Sequence, residues 1–244
     1  SYVGPRPLLV YVHGGGWTEG DKTWVDRIMS SGELALHGYT VTAVNYRLAP
    51  RHPWPAQIQD IKCAIRFLRA HSEEYNIDPD RVGVWGESAG GHLAAMLGLT
   101  NPEDGLEGSG GYLEQSSRVQ AVVDMFGPAD LVASGSESPQ NRVMGYLLLG
   151  DSPSEAKLRS ASPVSYASPD DPPFLLIHGE KDELVPFYHS TALLDSLNAA
   201  GVPATLVPVH NGDHVFAPRG GSISPSGQEM KEIVTRFFDL YLNP

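Results

Sequence analysis

One cysteine, Cys63, occurs in the 244 residues, which rules out an intrachain disulfide and any metal site built on several thiolates. Cationic residues are also scarce, with 17 Lys and Arg against 29 Asp and Glu and a formal charge of -12. Without a basic stripe to neutralise phosphates, nucleic acid is not expected as a partner, and anionic substrates would be mildly repelled. No apolar run approaches the roughly 20 residues that span a bilayer, so no membrane role is expected. Nor does Ser1-Tyr2-Val3-Gly4-Pro5 carry the pattern of a signal peptide. These absences favour a soluble, cytoplasmic protein, with secretion left open if an N-terminal segment has been trimmed.

What is present is an alternation of two periods. Apolar runs at 8–12, 39–46, 81–87, 119–126, 174–178 and 205–209 read as strands. Helices are expected at 89–99, 191–200 and 228–242, and around Ile58, Ile61, Ile65 and Leu68, whose spacing forms one apolar stripe. Cys63 falls in that last helix and reads as a small buried apolar residue. Strands alternating with helices imply the α/β class, a mostly parallel sheet covered on both faces, in a single domain over residues 1–244. Residues 103–117 and 127–171 break the alternation. The second stretch has helical patches near 142–149 and 154–160 but too few apolar residues for a core of its own, so a small lid over the sheet edge is expected.

Gly86-Glu87-Ser88-Ala89-Gly90-Gly91 follows the strand ending in Val84-Trp85 and opens a helix. Glycines on both sides of Ser88 permit the sharp, strained turn that lifts a serine hydroxyl off the end of a sheet. A serine there needs a base and a group to orient it. His214, in the glycine-bearing loop after the last strand, is the expected base, and His210 is its rival. Asp182, after the preceding strand, is the expected acid, with Glu180 and Glu183 beside it; Glu87 reads as an anchor for neighbouring loops. Oxyanion donors are expected at the Ala89 amide and in His13-Gly14-Gly15-Gly16, where Gly15 and Gly16 are favoured over Gly14. Trp17 follows that loop and either lines the acyl pocket or packs in the core; we assign it to substrate binding. His13 and His178 end buried strands and read as structural, and His92 as a packing or capping residue.

Together, His13-Gly14-Gly15-Gly16-Trp17, Asn45-Tyr46-Arg47-Leu48-Ala49-Pro50, the Ser88 motif and the pair Asp182 and His214 resemble the α/β-hydrolase-fold carboxylesterases of the hormone-sensitive-lipase-like group. Residues 78–93 and 171–186 are more similar to the compact bacterial esterases that include feruloyl and acetyl-xylan esterases. The resemblance implies hydrolysis of short-chain or aromatic carboxylic esters through an acyl-enzyme, with a small-molecule ester as substrate and neither a metal nor an organic cofactor. The assignment of Asp182 as the acid rests partly on it. Such enzymes carry further strands, and often a helical cap, ahead of the His-Gly-Gly-Gly strand, which here begins at Leu8. Either a trimmed chain or a minimal sheet with an open site is therefore expected. A prolyl-oligopeptidase-like serine peptidase shares the fold and the order of Ser88, Asp182 and His214, but the His-Gly-Gly-Gly loop speaks against it. A non-catalytic binding member of the fold would usually lack one of those three residues. Oligomeric state leaves no signal in the sequence.

Overall fold

In the first strand, β1 (Arg6–Val12), Leu8, Val10 and Val12 enter one core and Leu9 and Tyr11 another. Side chains alternate across a strand, so a continuous apolar run must be covered on both faces. The structure is a computed structural model that describes residues 4–132, 145–150 and 154–243. With β2 (Thr40–Val44), β3 (Ile77–Glu87), β4 (Ala121–Met125), β5 (Phe174–Gly179) and β6 (Ala204–Val209), β1 forms a parallel sheet in the order β2-β1-β3-β4-β5-β6.

Helices α1 (Ser31–Leu36) and α7 (Gly227–Leu242) cover the face of Leu9 and Tyr11, the latter through Met230, Val234, Phe238 and Leu242. Their spacing of four is one helix face. Ser226 and Glu229 form a capping box that starts α7. The opposite face is covered by α2 (Ala56–Ala70), α4 (Ala89–Leu99) and α6 (Tyr188–Ala200), with Ile58, Ile61 and Ile65 of α2 in the expected stripe. Gly201 stops α6 in the left-handed conformation open to glycine.

From β1 the chain adds β2 on one side, then returns to add β3 on the other. Such a reversal leaves a crevice beyond the carboxyl ends of β1 and β3, where parallel sheets bind ligands. The glycine loop after β1 and Ser88 after β3 both emerge there.

Three local features depart from expectation. β3 begins at Ile77, because Arg6 and Pro7 pair with Ile77 and Asp78 before the register shifts to Leu8 with Val82. Asp78-Pro79-Asp80 is thus an irregularity inside a strand, where a proline without an N–H is tolerated. A short helix α3 (Ser72–Tyr75) has no counterpart in the apolar pattern. Cys63 is half-buried rather than enclosed.

Within the 127–171 insertion the described parts are a helical turn at 145–149 and helix α5 (Glu155–Ser160), capped by Ser154. The expected patch at 142–149 lies partly outside the described residues. Leu148, Leu149 and Ala161 pack into the α2/α4/α6 layer. Among the described residues no helix is long and apolar enough to cross a membrane.

Candidate active site

Ser88 has φ 55° and ψ -119°, between β3 and α4. An L-residue held at positive φ is strained, and here the strain is locked in by neighbours. Its amide donates to the Met125 carbonyl at 2.9 Å, and its carbonyl accepts from the His92 amide at 3.0 Å. The flanking glycines are demanded by close approach. A Cβ on Gly86 would strike the Gly90 carbonyl, and one on Gly90 would strike that of Val12. Glycine at both positions lets α4 start directly against β1 and β3.

The Ser88 hydroxyl donates to His214 Nε2 at 2.9 Å, and His214 Nδ1 donates to Asp182 Oδ2 at 2.7 Å. Asp182 and His214 lie 32 residues apart and are brought together by their loops. The Lys181 amide bonds the Gly212 carbonyl at 2.9 Å and the Glu180 amide that of Val209 at 3.1 Å, stitching the loop after β5 to the loop after β6. Asp213 folds the base loop by accepting the Val215 and Ala217 amides at 3.1 and 2.9 Å and pairing with Arg219 at 3.1 Å. The His214 ring meets Phe126 edge-on at 4.8 Å.

Asp182 Oδ1 accepts the Leu184 and Val185 amides at 2.9 and 2.8 Å, and Oδ2 also faces His178 Nε2 at 3.2 Å. Burial alone would raise its pKa. The hydrogen bonds from His178 and His214, the His214 charge and the Val185 amide outweigh that and hold the carboxyl at about 2. It is an anion throughout the neutral range.

Gly15 and Gly16 have φ 102° and 57°. The Gly14 carbonyl is tied to His13 Nδ1 at 2.7 Å, and the Gly15 carbonyl accepts the Thr18 and Glu19 amides at 3.1 Å each. Because a trans peptide sets C=O and N–H in opposite directions, the Gly15 and Gly16 amides point away from those partners. Among the described residues neither donates to another protein group, and the same is true of the Ala89 amide at the start of α4.

Gly15, Gly16, Ser88 and His214 line a cavity of about 730 Å³ together with Trp24, Arg27, Ile28, Leu147 and Leu184. No sequence motif singles out Trp24, Arg27 and Ile28; their one signal is an aromatic and an apolar residue following a glycine loop. Arg27 stacks on Trp24, 3.4 Å from its ring centre. Glu87 also lines the cavity and accepts the Tyr11 hydroxyl at 2.8 Å, 76 residues away in the chain. Burial raises its pKa against the lowering effects of Tyr11, Arg27 and His214.

Trp17 does not line the cavity. It is 2% exposed, and the positive φ values from Gly15 to Trp17 turn the indole into the helix layer, where Nε1 donates to His92 Nδ1 at 3.2 Å. His92 Nε2 donates in turn to the Ala161 carbonyl at 2.8 Å. The substrate-binding expectation for Trp17 is corrected to a packing role that ties the glycine loop to α4. His210 is exposed and pairs with Glu180 at 2.7 Å, away from Ser88. His13 stacks on Tyr46 at 4.2 Å, and Arg47 pairs with Asp60 at 2.9 Å, both structural. Among the described residues no cluster of His, Cys, Asp or Glu is arranged to hold a metal ion.

Two enclosed imidazoles beside the site carry a pH prediction. Burial lowers His92 to about 4 and His189 to about 3. Both take up a proton near pH 6.5 when unfolded, so between pH 6.5 and these values the unfolded chain binds more protons. Stability therefore falls as pH drops through that window, by about 1.4 kcal/mol per pH unit for each ring. Urea unfolding at pH 7.5, 6 and 5 should show midpoints declining below pH 6.5. A midpoint unchanged down to pH 5 would contradict the neutral, buried state of both rings.

The BD-FAE family model matches residues 2–197. "Probable carboxylic ester hydrolase LipM" of Mycobacterium tuberculosis is 36% identical over 199 residues, which are 80% of this chain and 46% of that protein. The chain thus spans about half the length of that relative. Among solved structures, a truncated form of carbohydrate esterase from gut microbiota superposes with TM-score 0.87 at 30% identity, covering 100% of this chain and 88% of that one. The acetyl ester-xyloside bifunctional hydrolase from Caldicellulosiruptor lactoaceticus gives 0.77 at 26% identity, covering 98% and 85%. With a six-stranded parallel sheet that superposes on those esterase structures and a family match running from the first strand into α6, the chain belongs to the BD-FAE family and has the α/β-hydrolase fold.

Proposed function

We propose that this chain is the catalytic part of a serine carboxylesterase acting on short-chain or aromatic carboxylic esters, those carried by saccharides included. The observation that carries this reading is the continuous hydrogen-bonded path from Ser88 Oγ through His214 to Asp182, closed by 2.9 and 2.7 Å contacts. In the reaction, His214 takes the Ser88 proton as Oγ attacks the ester carbonyl, and Asp182 stabilises the imidazolium that forms. The Gly15, Gly16 and Ala89 amides receive the charge that develops on the carbonyl oxygen. His214 then gives its proton to the leaving alcohol, and water releases the acyl group by the same steps in reverse.

Apolar Trp24, Ile28, Phe126, Leu147 and Val215, interrupted by polar Thr18, Glu19 and Arg27, suit a small or aromatic acid joined to a polar alcohol. Leu147 comes from the 127–171 insertion, which supports its reading as a small lid. The saccharide alcohol is favoured by the carbohydrate-esterase and acetyl ester-xyloside hydrolase structures that superpose on the chain.

The test is kcat/KM across p-nitrophenyl esters from acetyl to dodecanoyl, with feruloyl and acetylated xylo-oligosaccharide esters and a prolyl amide alongside. Acetyl to butyryl esters are expected to exceed dodecanoyl by at least about tenfold, the scale of a few misfitting methylenes. Preference for the dodecanoyl ester would reverse the substrate reading, cleavage of the prolyl amide alone would favour a peptidase, and cleavage of nothing would favour a binding protein.

A further inference from the structure

The triad acid has a partner that the proposed reaction does not use. His178 ends β5 and is fully buried. Its Nε2 faces two acceptors, Asp182 Oδ2 at 3.2 Å and the Val185 carbonyl at 2.8 Å, so this nitrogen carries a proton. On the other side of the ring, Nδ1 meets Ser190 Oγ at 2.7 Å. With Nε2 protonated, the neutral ring accepts from the Ser190 hydroxyl. The Phe126 and Phe187 rings pack on it edge-on at 6.4 and 5.5 Å and exclude water.

We propose that His178 is a positioning residue that tunes the base: it donates to the same carboxylate oxygen that holds His214, and the Ser190 hydroxyl, donating to Nδ1, makes Nε2–H a stronger donor. This rests on the esterase reading above. Oδ2 divides its electron density between His214 Nδ1 at 2.7 Å and His178 Nε2 at 3.2 Å, while Oδ1 is saturated by two amides. A carboxylate that already accepts three other hydrogen bonds attracts a proton on His214 less strongly than one that accepts fewer. The effect is to keep His214 free to act as a base closer to neutral pH. A purely structural histidine would be satisfied by Ser190 and Val185 alone.

The groups that bear on this titration are few. Asp182, Ser190, His189 of α6 and Asp124 of β4 surround His178, and His214 is additionally faced by Ser88 and Glu87. His189 is neutral, since burial lowers it to about 3, and its Nδ1 accepts the Ala129 and Asp130 amides at 3.2 Å each.

The experiment is the pH profile of kcat/KM on p-nitrophenyl acetate for His178→Leu, His178→Gln and Ser190→Ala, with Ser88→Ala in parallel. His178→Leu removes the donor, so the acidic limb should move up by about one pH unit, the scale of one hydrogen bond to a charged group. KM should be unchanged. His178→Gln places an amide N–H near the position of Nε2–H and should return the limb toward its original position. Ser190→Ala removes the hydrogen bond accepted at Nδ1, which leaves Nε2–H a weaker donor, and should shift the limb in the same direction as His178→Leu, but less. An acidic limb that stays in place in both His178→Leu and Ser190→Ala, with kcat lowered or not, would overturn the proposal. If His178→Leu does not fold, the Ser190→Ala and His178→Gln profiles decide it. Full activity in Ser88→Ala would instead bring down the esterase reading, and this proposal with it.

Discussion

Replacing Ser88 with alanine is expected to lower kcat/KM for p-nitrophenyl acetate by about four to six orders of magnitude, the cost of losing a serine nucleophile that acts as a unit with its base. The change is otherwise mild. Among the described residues the only side-chain bond of Ser88 goes to His214 Nε2 at 2.9 Å, while its backbone is held by Met125 and His92. Alanine meets the same positive φ as serine, so the fold and the amides of Gly15, Gly16 and Ala89 should survive. Circular dichroism and a thermal melt close to those of the unsubstituted chain would assign the loss to chemistry. The residual rate would measure what the oxyanion donors supply by themselves.

Asp182→Asn is expected to cost about 10⁴ in kcat with little change in KM. Local geometry decides why. Oδ1 accepts the Leu184 and Val185 amides and must remain an oxygen, so the new amide nitrogen takes the place of Oδ2. There it would donate to His214 Nδ1, forcing the ring proton onto Nε2, which then cannot accept from Ser88. It would also set an NH₂ against the Nε2–H of His178, donor facing donor. Steady-state kinetics on the same ester checks the prediction. A loss carried mainly by KM would mean that Asp182 acts on substrate binding and not on the base.

Much of this arrangement is legible in the sequence because its determinants are local. Gly86 and Gly90 frame Ser88 within five residues, and strands with apolar residues on both faces announce a parallel sheet whose loops converge on one edge. Residues 89–99 form α4 as expected, since a helix that is apolar all round belongs beneath other layers. Asp182 was less legible. Three acids lie within four residues, and only the amides of Leu184 and Val185, fixed by the fold of the loop, single out one of them.

What no local pattern reveals is which layer a side chain enters after an irregular turn. Trp17 follows two glycines at positive φ, and its rotation into the helix layer is set by His92, 75 residues away. The bond from Tyr11 to Glu87 joins two strands whose adjacency depends on the chain reversing past β1. The sequence pattern gives His178 a structural role at the end of a buried strand. The ring does bond the Val185 carbonyl, but its second acceptor is Asp182 itself, four residues on across a tight turn.

The esterase reading stands on activation of Ser88 Oγ by His214. It is tested most directly by intact-mass and peptide mass spectrometry after exposure to diethyl p-nitrophenyl phosphate, which transfers a diethylphosphoryl group to an activated hydroxyl and releases p-nitrophenolate. One such group per chain is expected, carried on Ser88, with no labelling of Ser88→Ala. An unmodified chain, or a label on another residue that persists in Ser88→Ala, would contradict it.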